Sequence, residues 1–83
     1  MAAHGITGNK RKRIVRELRM RDGNYCQHCR KPFGKPLPST IDHIHPWSMG
    51  GTNALSNLQL LCYPCNKKRD LWIRFVLPDS RAA

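Results

Sequence analysis

Acidic side chains are scarce in this chain: five, against fifteen lysines and arginines, which leaves a formal charge of +10 with the histidines neutral. An excess of that size on a small body points to a polyanionic partner, either nucleic acid or an anionic membrane surface. Long apolar runs are missing as well. No segment approaches the ~20 residues a membrane-spanning helix needs, and Met1-Ala2-Ala3-His4-Gly5 lacks the apolar stretch of a signal peptide. The expected location is therefore cytoplasmic. No segment pairs a basic face with a broad apolar face rich in Trp or Phe, as membrane-surface helices do. Nucleic acid, without a membrane, is the partner these absences leave.

Core-forming residues are also in short supply. A single domain of 83 residues buries only about 60% of the surface its unfolded chain exposes, and Gly and Pro together take twelve positions. Such a chain needs a staple. Four cysteines supply the candidate, in two matched pairs, Cys26-Gln27-His28-Cys29 and Cys62-Tyr63-Pro64-Cys65, with 32 residues between them. Two CxxC pairs at this separation read as a tetrahedral structural zinc site. Two disulfides would suit a secreted mini-protein, which the amino terminus does not resemble. Redox-active CxxC motifs do not usually come as ribbon-spaced pairs. Four thiolates holding Zn²⁺ would contribute −2, leaving the loaded domain near +8. His28 lies inside a knuckle but is expected at the surface, since four cysteines complete the zinc shell.

Along the chain, residues 1–8 read as frayed or disordered. Residues 9–22 form a short amphipathic helix in which Ile14, Val15 and Leu18 share one face. Lys10, Arg11, Lys12, Arg13 and Arg16 cover the rest, Asn9 can cap the start and Asp22-Gly23 supplies the stop. Eight basic and two acidic residues between Lys10 and Arg30 favour phosphate contacts over a merely solvated face. A Pro/Gly-punctuated loop follows, then a strand over Thr40–His45 ended by Pro46, an irregular loop over Trp47–Ser56, and a second strand over Asn57–Leu61. A closing helix is expected from Tyr63 or Pro64 through Val76, with Pro78 ending it. Leu71, Trp72 and Phe75 are expected to pack against the strands, and Trp47 reads as core more readily than as a base-stacking residue. The order is helix, knuckle, strand, loop, strand, helix. It describes a small α+β domain with no linker long enough to divide it.

The chemistry-bearing residues cluster in the second half. Asp42 beside His43 can place a hard oxygen ligand and a general base in one small space. The pair is followed in order by Pro46, Gly50-Gly51, Asn57-Leu58-Gln59-Leu60-Leu61-Cys62 and Cys65-Asn66-Lys67-Lys68. This ordered set closely resembles the HNH endonuclease family, over about residues 25–72, and is similar to its small phage or mobile-element members. The resemblance implies a ββα-metal (His-Me finger) core, with a structural zinc ribbon and, in this chain, an additional amino-terminal helix. It implies that His43 is the general base and that Asp42 is a ligand of one catalytic divalent ion. It further implies that Asn57 tethers the loop and orients the base, and that Asn66 occupies the last family position as the second ligand. That position usually holds His, so the chain resembles an HNN variant. A similar Asn occurs in the HNH domains of RNA-guided CRISPR nucleases, with the same 14 residues from His43 to Asn57 and nine more to Asn66. An amide oxygen in place of an imidazole nitrogen makes the site harder, favouring Mg²⁺ or Mn²⁺ over Zn²⁺ or Ni²⁺.

Lys67, Lys68 and Arg69, next to Asn66, are expected to grip the phosphate backbone. His45, two positions past His43 on the strand, is expected to point the same way, toward substrate or metal, or to be a solvated strand end. The activity implied is metal-dependent hydrolysis of DNA phosphodiesters to 5′-phosphate and 3′-hydroxyl ends, by nicking or double-strand cleavage. Specificity should be weak, because phosphate contacts carry no sequence information. RNA stays open as a substrate. Two other function classes stand beside this one: a zinc-ribbon module that binds nucleic acid without cutting it, and an accessory subunit of a larger DNA-processing machine such as a phage packaging motor.

Overall fold

A computed structural model describes residues 5–75. Helix α1 spans Gly8–Asp22, strand β1 Ser39–His43, strand β2 Leu58–Cys62 and helix α2 Tyr63–Phe75. Two single 3₁₀ turns, Trp47–Met49 and Leu55–Asn57, punctuate the connection between the strands. The strands are antiparallel, with Ser39 opposite Cys62, Ile41 opposite Leu60, Asp42 opposite Gln59 and His43 opposite Leu58. The chain is thus a small α+β fold, a two-stranded sheet with one helix on each side.

Strand alternation decides what each helix meets. Ile41, Leu58 and Leu60 face α1 and join Ile14, Val15 and Leu18 in the main core. Ile6 belongs to that core too, at 1% exposure. The stretch read as frayed therefore contributes to the fold from Gly5 onward, while residues 1–4 lie outside those described. The helix start also differs from expectation. Thr7, not Asn9, is the N-cap, and no side chain caps it. Gly23 does end α1, at φ 93° with its N–H on the Arg19 carbonyl, a conformation that glycine adopts without the steric cost a Cβ would bring.

The opposite face of the sheet presents Thr40, Asp42, Gln59 and Leu61 to α2. Three of these are polar, so α2 docks by polar contacts, and Asn66 is its only buried residue among those described. This corrects the expectation for its apolar residues. Leu71, Trp72 and Phe75 are 42%, 50% and 69% exposed, and Trp47 is 43% exposed. The expected continuation of α2 through Val76 to Pro78 lies outside the described residues. Among the described residues, no helix is long and apolar enough to cross a membrane.

The first strand is also shorter than read. It ends at His43, after which the Ile44 N–H bonds to the Asn57 carbonyl and the chain turns at Pro46 into the first 3₁₀ turn. His45 therefore does not share a strand face with His43; it is exposed, with Nε2 2.9 Å from the Met49 carbonyl oxygen. Gly51 closes this turn, its N–H donating to the Pro46 carbonyl. A Cβ on Gly51 would lie 1.9 Å from the His45 carbonyl oxygen, so the backbone itself would have to move. Gly51→Ala is expected to cost about 1–3 kcal/mol, read as a lower urea midpoint with an unchanged slope.

Candidate active site

The four cysteines come together at one end of the sheet. Their sulfurs all lie within 4.8 Å of one another. Those of Cys29 and Cys62 are 3.8 Å apart, and all four cysteines are free thiols rather than disulfides. A regular tetrahedron with Zn–S bonds of about 2.3 Å has sulfur–sulfur edges of about 3.8 Å, so the cluster is positioned for zinc. Cys26 and Cys62 are buried in a second small core with Leu61, against which Phe33, Leu37 and Cys65 pack.

The electrostatics of the thiols agree with that role. Burial works against ionisation of Cys26, but the backbone N–H groups of Cys29, Cys62 and His28 outweigh it and hold the thiol down to about 6. Burial, together with the neighbouring sulfurs, pushes Cys65 up to about 12. Burial likewise raises Cys62. The bare cluster thus favours charge at Cys26 and opposes it at Cys62 and Cys65. A divalent cation supplies the charge that lets all four ionise together.

On the α2 side of the sheet, β1 and α2 bring two pairs of residues together. Thr40 and Asp42, two apart on β1, meet Asn66 and Arg69, three apart on α2. Asn66 donates from Nδ2 to Thr40 Oγ1 at 2.8 Å and to the Ile41 carbonyl at 3.5 Å. Arg69 donates from Nη1 to both oxygens of Asp42 at 2.9 Å and to the His43 carbonyl at 2.8 Å, and its Nη2 donates to the Ile44 carbonyl at 2.5 Å. Gln59 adds a third hydrogen bond to Asp42, at 2.9 Å. Asp42 is 7% exposed, and a carboxylate so buried needs a compensating cation. Arg69 provides one. The guanidinium assigned from sequence to phosphate gripping is therefore held by Asp42 and two backbone carbonyls.

Asp42 and Asn66 offer the donor types, carboxylate and amide oxygen, that suit a hard divalent ion such as Mg²⁺ or Mn²⁺, while both Asp42 oxygens are engaged by Arg69 in this structure. Asn66 is 4% exposed, and its hydrogen bonds to β1 fix the side chain in place.

His43 is 8% exposed and lies at the end of β1 where the loop folds back over it. Its Nε2 is 2.7 Å from Asn53 Oδ1, and the Trp47 ring stands 5.6 Å away, tilted by 60°. Asn57 does not bond to His43. Its Oδ1 accepts the His45 N–H at 2.7 Å, and its Nδ2 donates to the carbonyls of His45 and Thr52. Asn57 is a loop tether in this structure, and Asn53, not Asn57, is hydrogen-bonded to the imidazole. Sequence reasoning missed Asn53. Its only signal was its place in a loop whose length puts it ten residues past His43.

The remaining basic residues divide into two groups. Lys10, Arg11, Lys12, Arg13 and Arg16 on α1, with Lys67 and Lys68 on α2, are all exposed, although Arg11 also donates to the Ser39 carbonyl. Arg21 is structural. It pairs with Asp22 and donates to the carbonyls of Leu55 and Leu58, clamping the second 3₁₀ turn to the end of α1. The hydrogen bonds of that pair hold the Asp22 carboxyl below its ordinary value. His28 is exposed. Beside Asp42 an open groove of about 490 Å³ runs between the first knuckle, β2 and α2, with Gln59, Lys68, Arg69 and Trp72 in its lining.

The model of the HNH endonuclease family matches residues 26–70, more than half of the 83-residue chain. No curated protein and no solved structure matches it. The matched span begins at the first zinc-positioned cysteine and ends just past Arg69, enclosing both strands, the loop and the docked part of α2. The chain belongs to the HNH endonuclease family.

Proposed function

We propose that the protein is a metal-dependent DNA endonuclease whose fold is closed by a structural zinc ion. What supports the reading most directly is the match to the HNH endonuclease family, together with the buried carboxylate of Asp42 and, next to it in sequence but on the other face of β1, a buried histidine whose ring is held by an amide oxygen.

His43 accepts a proton from water, which attacks phosphorus in line with the 3′ oxygen. The P–O3′ bond breaks, the leaving oxygen takes up a proton, and the ends are a 5′-phosphate and a 3′-hydroxyl. A neutral imidazole suits this step because one of its ring nitrogens keeps a basic lone pair. Asp42 and Asn66 would hold Mg²⁺ or Mn²⁺, which when bound supplies Lewis-acid stabilisation of the charge developing on the phosphate. Lys68 lines the groove beside Asp42, the exposed Lys67 precedes it on α2, and the basic face of α1 carries further positive charge on the other side of the sheet. His45, whose ring is bonded to the Met49 carbonyl, would meet the substrate backbone at the edge of the loop. Weak sequence specificity follows from the phosphate-directed charge. The same reading extends to a role in phage DNA processing or packaging alongside a larger partner.

Supercoiled plasmid tests the reading. Nicked or linear product should form with added Mg²⁺ or Mn²⁺ and not with EDTA, at a chelator level that leaves the structural zinc in place. Plasmid that is bound but uncut under every metal would favour the binding-module reading.

A second expectation concerns Arg69. Arg69→Met leaves Asp42 buried with Gln59 as its remaining partner and should cost about 2–3 kcal/mol. Mn²⁺ should then raise the melting temperature of Arg69→Met by more than it raises that of the wild type, because the ion no longer competes with a guanidinium for Asp42. Differential scanning calorimetry with and without Mn²⁺ reads both effects.

A further inference from the structure

We infer that Asn53 is the positioning residue for His43: it fixes the imidazole in the tautomer and orientation that present Nδ1 as the proton acceptor. The inference rests on the nuclease reading for its kinetic consequence but on geometry for its substance. Asn53 Oδ1 lies 2.7 Å from His43 Nε2. An amide oxygen only accepts, so Nε2 carries the proton, and in the neutral ring Nδ1 is then the nitrogen with the basic lone pair. Trp47, at 5.6 Å and 60°, limits rotation of the ring on another side.

The loop around Asn53 is built to hold it. Both its neighbours are tied to Asn57: the Thr52 carbonyl accepts from Asn57 Nδ2 at 2.8 Å, and the Ala54 carbonyl accepts from the Asn57 N–H at 2.8 Å. Asn57 also bonds both backbone groups of His45, two residues past the base. Gly51 lets the chain pass close against the His45 carbonyl, where a Cβ would not fit. The effect of Asn57 on the base is thus relayed. It staples the loop on both sides of Asn53, and Asn53 makes the contact.

Three full-length, zinc-loaded proteins test this: wild type, Asn53→Leu, which keeps the side-chain size without an acceptor, and Asn53→Asp, which keeps the acceptor. The first readout is the ¹⁵N–¹H long-range correlation spectrum of the His43 ring at mildly alkaline pH without catalytic metal, which needs no activity. Wild type and Asn53→Asp should show a single neutral tautomer with the proton on Nε2. Asn53→Leu should raise the population of the Nδ1-protonated tautomer, read as ring shifts averaged between the two forms. The second readout is kinetic. Asn53→Leu should lower kcat about 10–100-fold with KM for DNA nearly unchanged, and Asn53→Asp should recover most of that loss. An unchanged ring spectrum in Asn53→Leu, or a kcat loss equal in Leu and Asp variants, would overturn the inference. If Asn53→Leu does not fold, the Asn53→Asp ring spectrum alone decides: a proton on Nδ1 contradicts the assignment. If the wild type fails to cleave DNA, the nuclease reading fails while the ring spectra still decide the role of Asn53.

Discussion

His43→Ala is expected to slow phosphodiester cleavage by about 10²–10⁴-fold, the usual contribution of a positioned general base, while leaving zinc content and DNA affinity in place. Part of what His43 contributes to the fold is backbone: its pairing with Leu58 on β2 and its carbonyl accepting from Arg69. Alanine retains both. What is lost is the imidazole and its bond to Asn53. Asp42→Ala is less clean, because it strands Arg69 and removes the acceptor of three hydrogen bonds, so lost activity there mixes chemistry with folding. A binding module would keep its DNA affinity with His43→Ala, would have no cleavage to lose, and would show only the stability cost of the missing imidazole. Single-turnover cleavage, with DNA affinity measured in parallel, separates the two readings.

Removing the zinc should have the largest effect on the fold. The second core is built around Cys26 and Cys62, at 0% and 2% exposure, with Leu61, Phe33 and Leu37 packed against them. These residues attach the first knuckle to the end of β2 and the start of α2. Structural zinc supplies apparent binding energies of about 10–16 kcal/mol, as large as the ~5–15 kcal/mol that holds a whole small domain folded. A strong chelator, or Cys62→Ser, should therefore abolish the cooperative thermal transition rather than merely lower its midpoint. The α1 core would not survive alone, since Leu58 and Leu60 reach it from the same strand that ends in Cys62. Calorimetry before and after chelation reads the outcome. A metal-free protein that melts cooperatively at the original temperature would show that the thiol cluster is dispensable. Thiol titration adds a second readout: reactive thiols should appear on chelation without any reductant.

Much of this architecture was legible because it is written in spacing. The two CxxC pairs, the apolar face of α1 at Ile14, Val15 and Leu18, and the Asp42-His43 pair on β1 follow from periodicity and from donor chemistry. What the sequence concealed has physical causes. A two-stranded sheet has little area, and the face toward α2 is mostly polar, with Thr40, Asp42 and Gln59. The apolar residues of α2 therefore find no strand surface to cover, although their spacing resembles that of a packed helix. Ile6 was hidden by its surroundings of small and polar residues, which read as a loose end. The two arginines that organise the interior, Arg21 and Arg69, sit within charge runs, and a charge run looks solvated until the carbonyls and carboxylates it meets are known. Asn53 was invisible for a similar reason: a loop asparagine acquires its role only when the turn at Pro46 and Gly51 brings it back over the histidine.

The measurement closest to the central claim is single-turnover cleavage of an end-labelled DNA duplex by the zinc-loaded protein, with product termini mapped and His43→Ala run beside it. Cleavage that requires Mg²⁺ or Mn²⁺, leaves 5′-phosphate and 3′-hydroxyl ends and is slowed at least about 100-fold in His43→Ala is the predicted result. A duplex left intact by the wild type with either metal, or cut equally fast by His43→Ala, would contradict the account.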